Sequence, residues 1–249
     1  MEKALYIIFF TVGLLFGSFA NVIIYRMPKE ESIVYPPSHC PNCNARLKAL
    51  DLVPVISWLF LKGRCRYCGE KISPRYMLVE LLCAVLFLGV YLRWGLTMEA
   101  LAGFVFAVIL LAAAFIDLDQ GIIPDRLTYP GIVLGLLLSF WTSGFLPSLY
   151  GTLAFGGLMF AIAFISNGGM GGGDIKMAGA IGAFTGIAGS AVTLIMASLL
   201  GSVFGLGVIA VKKGGRKTPV KFGPFLALSA YTAYLFADTI VAWYRGSFF

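Results

Sequence analysis

Charge is scarce in this chain. Asp, Glu, Lys and Arg make up 12% of its 249 residues, about half the share found in a soluble domain. Histidine is scarcer still, with His39 the single copy. That scarcity argues against Ser-His and Cys-His nucleophilic machines, and neither His-Glu-x-x-His nor Gly-x-Ser-x-Gly occurs. The glycine-rich stretch is not followed by Lys-Ser or Lys-Thr, so a nucleotide-binding loop is unsupported. No run of alternating apolar and polar residues is long enough for a barrel strand, and no soluble-type repeat is visible.

Apolar residues are plentiful instead. They form 59% of the chain, and the mean hydropathy is +0.88. A helix needs about 20 mostly apolar residues to cross a bilayer. Eight segments are candidates: 4–25, 76–93, 99–117, 128–143, 147–166, 174–185, 187–211 and 222–243. The sixth is too short to span comfortably and reads as a half-helix. The first lacks a small-residue cleavage site behind it, so it reads as a retained span rather than a removed signal peptide. The expected fold is an all-α polytopic transmembrane bundle of about eight spans with a small cytoplasmic zinc-knuckle loop. Its expected divisions are 1–25 for the first span, 26–75 for the loop domain and 76–249 for the membrane core.

The net charge of +7 resembles a nucleic-acid signal but fits a membrane protein better. If the first span runs outside to inside, the loops 26–75, 118–127, 167–173 and 212–221 all lie in the cytoplasm. The first carries Arg26, Lys29, Arg46, Lys48, Lys62, Arg64, Arg66, Lys71 and Arg75, and the last carries Lys212, Lys213, Arg216, Lys217 and Lys221. Only Lys3, Arg93 and Arg245 fall on the other side, as the positive-inside rule requires. Lipid, not nucleic acid, is the expected partner of this charge.

The loop 26–75 is too small for a good apolar core and needs a staple. Cys40-Pro-Asn-Cys43 and Cys65-Arg-Tyr-Cys68 supply one. Two Cys-x-x-Cys knuckles at this separation fit a structural Zn²⁺ site, and a reducing cytoplasm argues against two disulfides. His39 adjoins this set but is expected to stay a solvated loop residue. Cys83, inside an apolar span, reads as a small buried hydrophobe. Gly13, Gly17, Ser18 and Asn21 on the first span suit close helix packing more than substrate contact. Glu80 lies near the cytoplasmic end of the second span. It either pairs with Arg75 or Lys71 or faces a polar cavity.

The chemistry points to carboxylates. Gly169-Met170-Gly171-Gly172-Gly173-Asp174-Ile175-Lys176 sits between long apolar runs, and an acid at membrane depth is a functional-site signal. Asp117-Leu118-Asp119 ends an earlier run. Two nearby carboxylates share one proton. One can then deprotonate water while the other protonates a carbonyl oxygen. Asp125, after Pro124, reads as a helix N-cap. Asp117 and Asp119 point to different sides of a helix, and spacing does not choose between them. Each residue's own helix end predicts Asp174 ionised and Asp117 protonated, with Lys176 adding to the bias.

These motifs in one order resemble the type 4 prepilin peptidases, bacterial inner-membrane aspartic proteases of the Gly-x-Gly-Asp group. The matching stretches are Gly17-Ser18-Phe19-Ala20-Asn21-Val22 with Tyr25-Arg26-Met27-Pro28, the paired knuckles, Ile116-Asp117-Leu118-Asp119 with Ile123-Pro124-Asp125, Gly171-Gly172-Gly173-Asp174-Ile175-Lys176, and Phe222-Gly223-Pro224-Phe225. The resemblance implies Asp117 and Asp174 as the catalytic pair. Gly171, Gly173, Lys176, Asp119, Glu80 and Asn21 are expected as supporting or substrate residues. It also implies a prepilin or pseudopilin substrate, cut after a glycine behind a basic leader. S-adenosylmethionine is the implied donor for methylation of the new amine. One departure is Gly172, where a bulkier residue is expected. Three other classes share parts of the pattern. A presenilin-type protease would carry Pro-Ala-Leu near the last span. A non-enzymatic assembly factor would use the zinc loop for docking, and a transporter would use broken helices and buried acids as an ion path.

Overall fold

The computed structural model describes residues 2–166, 169–212 and 221–248. Lys213, Arg216 and Lys217 of the expected last basic loop lie outside them. The described residues are helical apart from loops and two isolated β-bridges. The helices are α1 (Glu2–Arg26), α2 (Ile56–Phe60), α3 (Arg75–Trp94), α4 (Met98–Gln120), α5 (Asp125–Leu138), α6 (Phe145–Ile165), α7 (Gly172–Lys212) and α8 (Gly223–Phe248). Six of them are long and apolar enough to cross a membrane. Their flanks expose large side chains such as Ile7, Leu15, Phe164 and Leu199, as helices facing lipid tails do. The chain is a multi-pass membrane protein.

The expected span 128–143 is helical only from Asp125 to Leu138, followed by a short 3-10 turn. At ~1.5 Å per residue it is too short to cross alone. The sixth and seventh expected spans form α7, which breaks between them at Gly186 (φ 62°, ψ −168°). A positive φ is open to glycine without steric cost. A straight helix of 41 residues would be roughly 60 Å long, twice the hydrocarbon thickness. Instead the second leg turns back. Phe204 lies 5.3 Å from the Phe225 ring, and Gly201 packs on Phe222 and Phe225, beside the start of α8. The first leg is short because protein rather than lipid surrounds it: Met177 to Phe184 are all buried. Its small residues allow α6 to approach closely, Gly151 lying against Gly182 and Gly186.

The chain forms two compact units, Met1–Ala100 and Leu101–Phe249. In the first, α1 packs on α3 through Gly13 and Gly17. A Cβ on either would lie 2.6 Å from a backbone atom of Ala84 or Glu80. Phe16 stacks on Phe87, and Phe9 on Tyr91. Asn21 donates its amide to the carbonyl of Tyr76 at 2.9 Å, so it bridges the two helices. Cys83 is fully buried beside Gly17.

Between α1 and α3 the chain makes two like-folded knuckles. In one, Cys40 N–H donates to Ala45 O and Asn44 N–H to Cys40 O. In the other, Cys65 N–H donates to Glu70 O and Gly69 N–H to Cys65 O. Asn44 and Gly69 both take positive φ. Asp51 ties the pieces together, accepting from Arg66 Nε at 2.6 Å, the Tyr67 hydroxyl at 3.0 Å and Lys48 N–H at 3.0 Å.

Candidate active site

Within the Leu101–Phe249 unit, three chain segments meet around two carboxylates. Asp117 lies on the last turns of α4 and is buried. Asp174 is in the first turn of α7 and half-buried. They are close enough for the charge of Asp117 to act on Asp174. The third segment is the start of α8. Gly223 N–H donates to Asp117 Oδ2 at 3.0 Å, and Lys221 Nζ donates to Leu118 O at 2.6 Å.

The glycine loop has position-specific reasons. A Cβ on Gly173 would lie 2.9 Å from Ile123 Cβ and 3.0 Å from its carbonyl oxygen, so α7 starts in van der Waals contact with the 121–124 turn. A Cβ on Gly171 would come to 3.2 Å from Asp174 Oδ2. Gly172 has open space around it, so a bulkier residue fits there and this departure from the family pattern is sterically neutral. Gly223 is as constrained as Gly173, because a Cβ there would lie 2.6 Å from Asp117 Oδ2. The sequence marked Phe222-Gly223-Pro224 only as a turn. Its donor role was hidden because the acceptor is 106 residues away.

Two local expectations change. Lys176 does not turn to Asp174. Its Nζ meets both oxygens of Asp125 at 2.6 and 2.7 Å, and lies 5.3 Å from the Tyr129 ring centroid. Asp125 in turn is not an N-cap. Pro124 holds that position, with no side-chain capping bond. The extended backbone of Pro124 (ψ 140°) makes it the residue that opens the helix, so Asp125 falls at the first helical position and its carboxylate is left to face Lys176 across α5 and α7. The helix-end bias also changes. Counting only its own helix, Asp117 sits at a negative end, yet α8 offers it a positive one through Gly223 N–H. Asp119 is exposed at the end of α4.

Asn21 and Glu80 belong to the other unit. Glu80 is buried and accepts Val55 N–H at 2.7 Å. Of the alternatives open to it, the structure shows the cavity: Glu80 lines one together with Ser18, Asn21 and Tyr76. In the same unit the Sγ atoms of Cys40, Cys43, Cys65 and Cys68 all lie within 4.8 Å of one another, with Cys40 to Cys68 at 3.9 Å. Four thiolates around Zn²⁺ at ~2.3 Å stand about 3.8 Å apart, so the donor set fits a tetrahedral metal. Cys43 N–H points at the Cys40 sulfur and favours a thiolate there, while the neighbouring thiols push Cys43 the other way, so the four sulfurs share protons when no ion is bound. His39 is turned away, its Nδ1 3.2 Å from Pro37 O.

Comparison with known proteins follows this division. The bacterial peptidase A24 N-terminal domain matches residues 11–94, and the type IV leader peptidase family matches residues 104–206. A prepilin leader peptidase/N-methyltransferase of Aeromonas salmonicida is 35% identical, over 94% of this chain and 92% of that protein. Another of that name from Bacillus subtilis is 34% identical, over 95% of this chain and 96% of its own length. A third, from Pseudomonas putida, is 34% identical over 97% and 94%. No solved structure matches.

Proposed function

The chain belongs to the type IV leader peptidase family, and on that premise we propose that it removes the basic leader of type IV prepilins or pseudopilins and methylates the amine so exposed. The observation that carries the peptidase reading is the meeting of Asp117 and Asp174 with the first N–H of α8. Gly223 N–H and nearby Lys221 favour the negative charge on Asp117, while Lys176 is occupied by Asp125. Asp117 therefore acts as the base and Asp174 holds the shared proton. Asp117 takes a proton from water, and the water oxygen attacks the carbonyl carbon. Asp174 gives its proton to the carbonyl oxygen. Collapse of the tetrahedral intermediate breaks the C–N bond: the proton on Asp117 goes to the leaving amine, and one hydroxyl of the gem-diol returns its proton to Asp174, which restores both carboxyl groups to their starting states.

By the positive-inside pattern this site and the knuckles face the cytoplasm of a bacterial inner membrane. There a basic leader meets the start of an apolar pilin helix, beside the exposed Asp119 and anionic lipid. Zn²⁺ held by Cys40, Cys43, Cys65 and Cys68 folds the loop domain. S-adenosylmethionine, when bound, supplies an electrophilic methyl group to the new amine and leaves as the neutral thioether. The motif that replaces Pro-Ala-Leu, Phe222-Gly223-Pro224, donates to Asp117, which favours the prepilin peptidase over a presenilin-type enzyme. An assembly factor or a transporter would leave a prepilin intact. Mass spectrometry of a co-expressed prepilin reads both steps separately. Loss of the leader and gain of one methyl is expected, and an unshortened prepilin would sink the reading.

The glycines give a steric prediction. Gly223→Ala pushes a methyl group into the Asp117 carboxylate, and Gly173→Ala pushes one into Ile123. A displacement of about 1 Å at a reacting group costs about 10²-fold, so each variant should lose roughly that much in the cleavage rate. Gly172→Leu enters open space and should stay within about threefold of wild type, since it creates no overpacking. Equal losses at Gly172 and Gly173 in a detergent assay would contradict this geometry.

A further inference from the structure

A cavity of about 430 Å³ lies within the Met1–Ala100 unit, between the knuckles and the ends of α1 and α3 that lead into them. Nothing assigned above occupies it, and small-molecule sites run from ~300 to 1,000 Å³. Six charged residues stand in its wall. Asp51 is paired with Arg66, and Glu70 and Lys71 are exposed. The remaining two are buried and of opposite sign: Arg26, the last residue of α1, and Glu80 on α3. They are only 6% and 8% exposed. Arg26 donates to Ser32 O at 3.0 Å. Glu80 accepts from Val55 N–H at 2.7 Å, and Ser18 lines the cavity beside it. Among the described residues neither forms an ion pair, with the other or with a third group.

A buried ion without a counter-charge is costly. A cavity that buries one such charge of each sign in its wall is matched to a guest carrying both. Resting on the methyltransferase reading, we propose that this cavity is the methyl-donor site. The Arg26 guanidinium takes the carboxylate of S-adenosylmethionine, Glu80 faces its cationic end, and Trp58 and Tyr76 border the adenosine. An α-amino acid carries an ammonium and a carboxylate on one carbon, and the sulfonium adds a second cation. Arginine suits a carboxylate through its planar fork. The aromatic walls suit a flat base and a cation. A peptide amine alone would balance Glu80 and leave Arg26 without its anion. Cys40 and Cys65 also line the cavity, so the metal site holds one of its walls.

The test uses full-length, zinc-loaded protein in detergent. Ultraviolet crosslinking of tritiated S-adenosylmethionine to wild type, followed by peptide mapping, should place the label within Met1–Ala100. Label confined to residues 101–249 overturns the assignment. Equilibrium binding adds a second readout. Arg26→Gln and Glu80→Gln should each weaken S-adenosylmethionine by about tenfold or more, the cost of losing one charged hydrogen-bond partner. Zinc content reports whether each variant is folded, and the crosslink map does not depend on either. Wild-type affinity in both folded variants also overturns the assignment. Wild type that methylates prepilin but carries its label elsewhere defeats the cavity alone. Wild type that neither binds the donor nor methylates defeats the methyltransferase reading and the cavity with it.

Discussion

Asp117→Asn and Asp174→Asn are each expected to reduce prepilin cleavage by about 10³-fold or more, the upper part of the range for positioned acid–base groups. The two losses should not multiply in the double variant, because the carboxylates share one proton and act as a unit. An amide keeps the size of the carboxyl, so the variants should fold and insert normally. Asp117→Asn still accepts Gly223 N–H through its amide oxygen but cannot take a proton from water. Asp174→Asn cannot give one up to the carbonyl oxygen. Asp119→Asn and Asp125→Asn should keep measurable activity. Asp119 is exposed at a helix end, and Asp125 acts on Lys176. Initial rates on a synthetic prepilin check all four. Full activity in either Asn variant of the pair would remove the aspartic mechanism. The location of the proton is a separate measurement. The infrared band of a protonated carboxyl should persist in Asp117→Asn and vanish in Asp174→Asn, while the reverse pattern would return the charge to Asp174.

Removal of the metal should have the second large effect. Cys40→Ser or Cys68→Ser is expected to bring zinc from about one per chain to near none, and to open the 26–75 loop to protease. Apparent binding free energies of structural Zn²⁺ in small peptides are ~10–16 kcal/mol. The loop has little else to hold it, since Val34, Leu50, Ile56 and Phe60 are all exposed. The knuckle turns and the contacts of Asp51 are local and cannot replace four bonds to one ion. Methylation should suffer more than cleavage, because Cys40 and Cys65 line the proposed donor cavity and the carboxylate pair belongs to the other unit. Metal analysis, limited proteolysis and the two product masses decide this together. Wild type without zinc would defeat the metal site, and equal loss of both activities would defeat the separation of roles.

Much of this was readable from residue order because the signals are local. Hydropathy marked the helices, since a bilayer sorts residues by transfer free energy over a window of fixed length. The break between the sixth and seventh apolar segments fell at Gly186, where the backbone leaves the helix. The cysteine spacing marked the four thiols that converge, because a two-residue gap sets a knuckle by itself. Tertiary structure decided what depends on distant partners. Sequence placed Asp117 at the end of its own helix but could not show the second helix end it faces, since Gly223 lies 106 residues away. It sent Lys176 toward Asp174 rather than to Asp125, 51 residues back. It treated Arg26 as one more topological charge, whereas the fold buries it in the wall of a cavity shared with Glu80. Patterns along a chain report the solvent each residue prefers. Which charges and donors face each other is fixed only when helices pack, because the energies that choose them act through space rather than along the backbone.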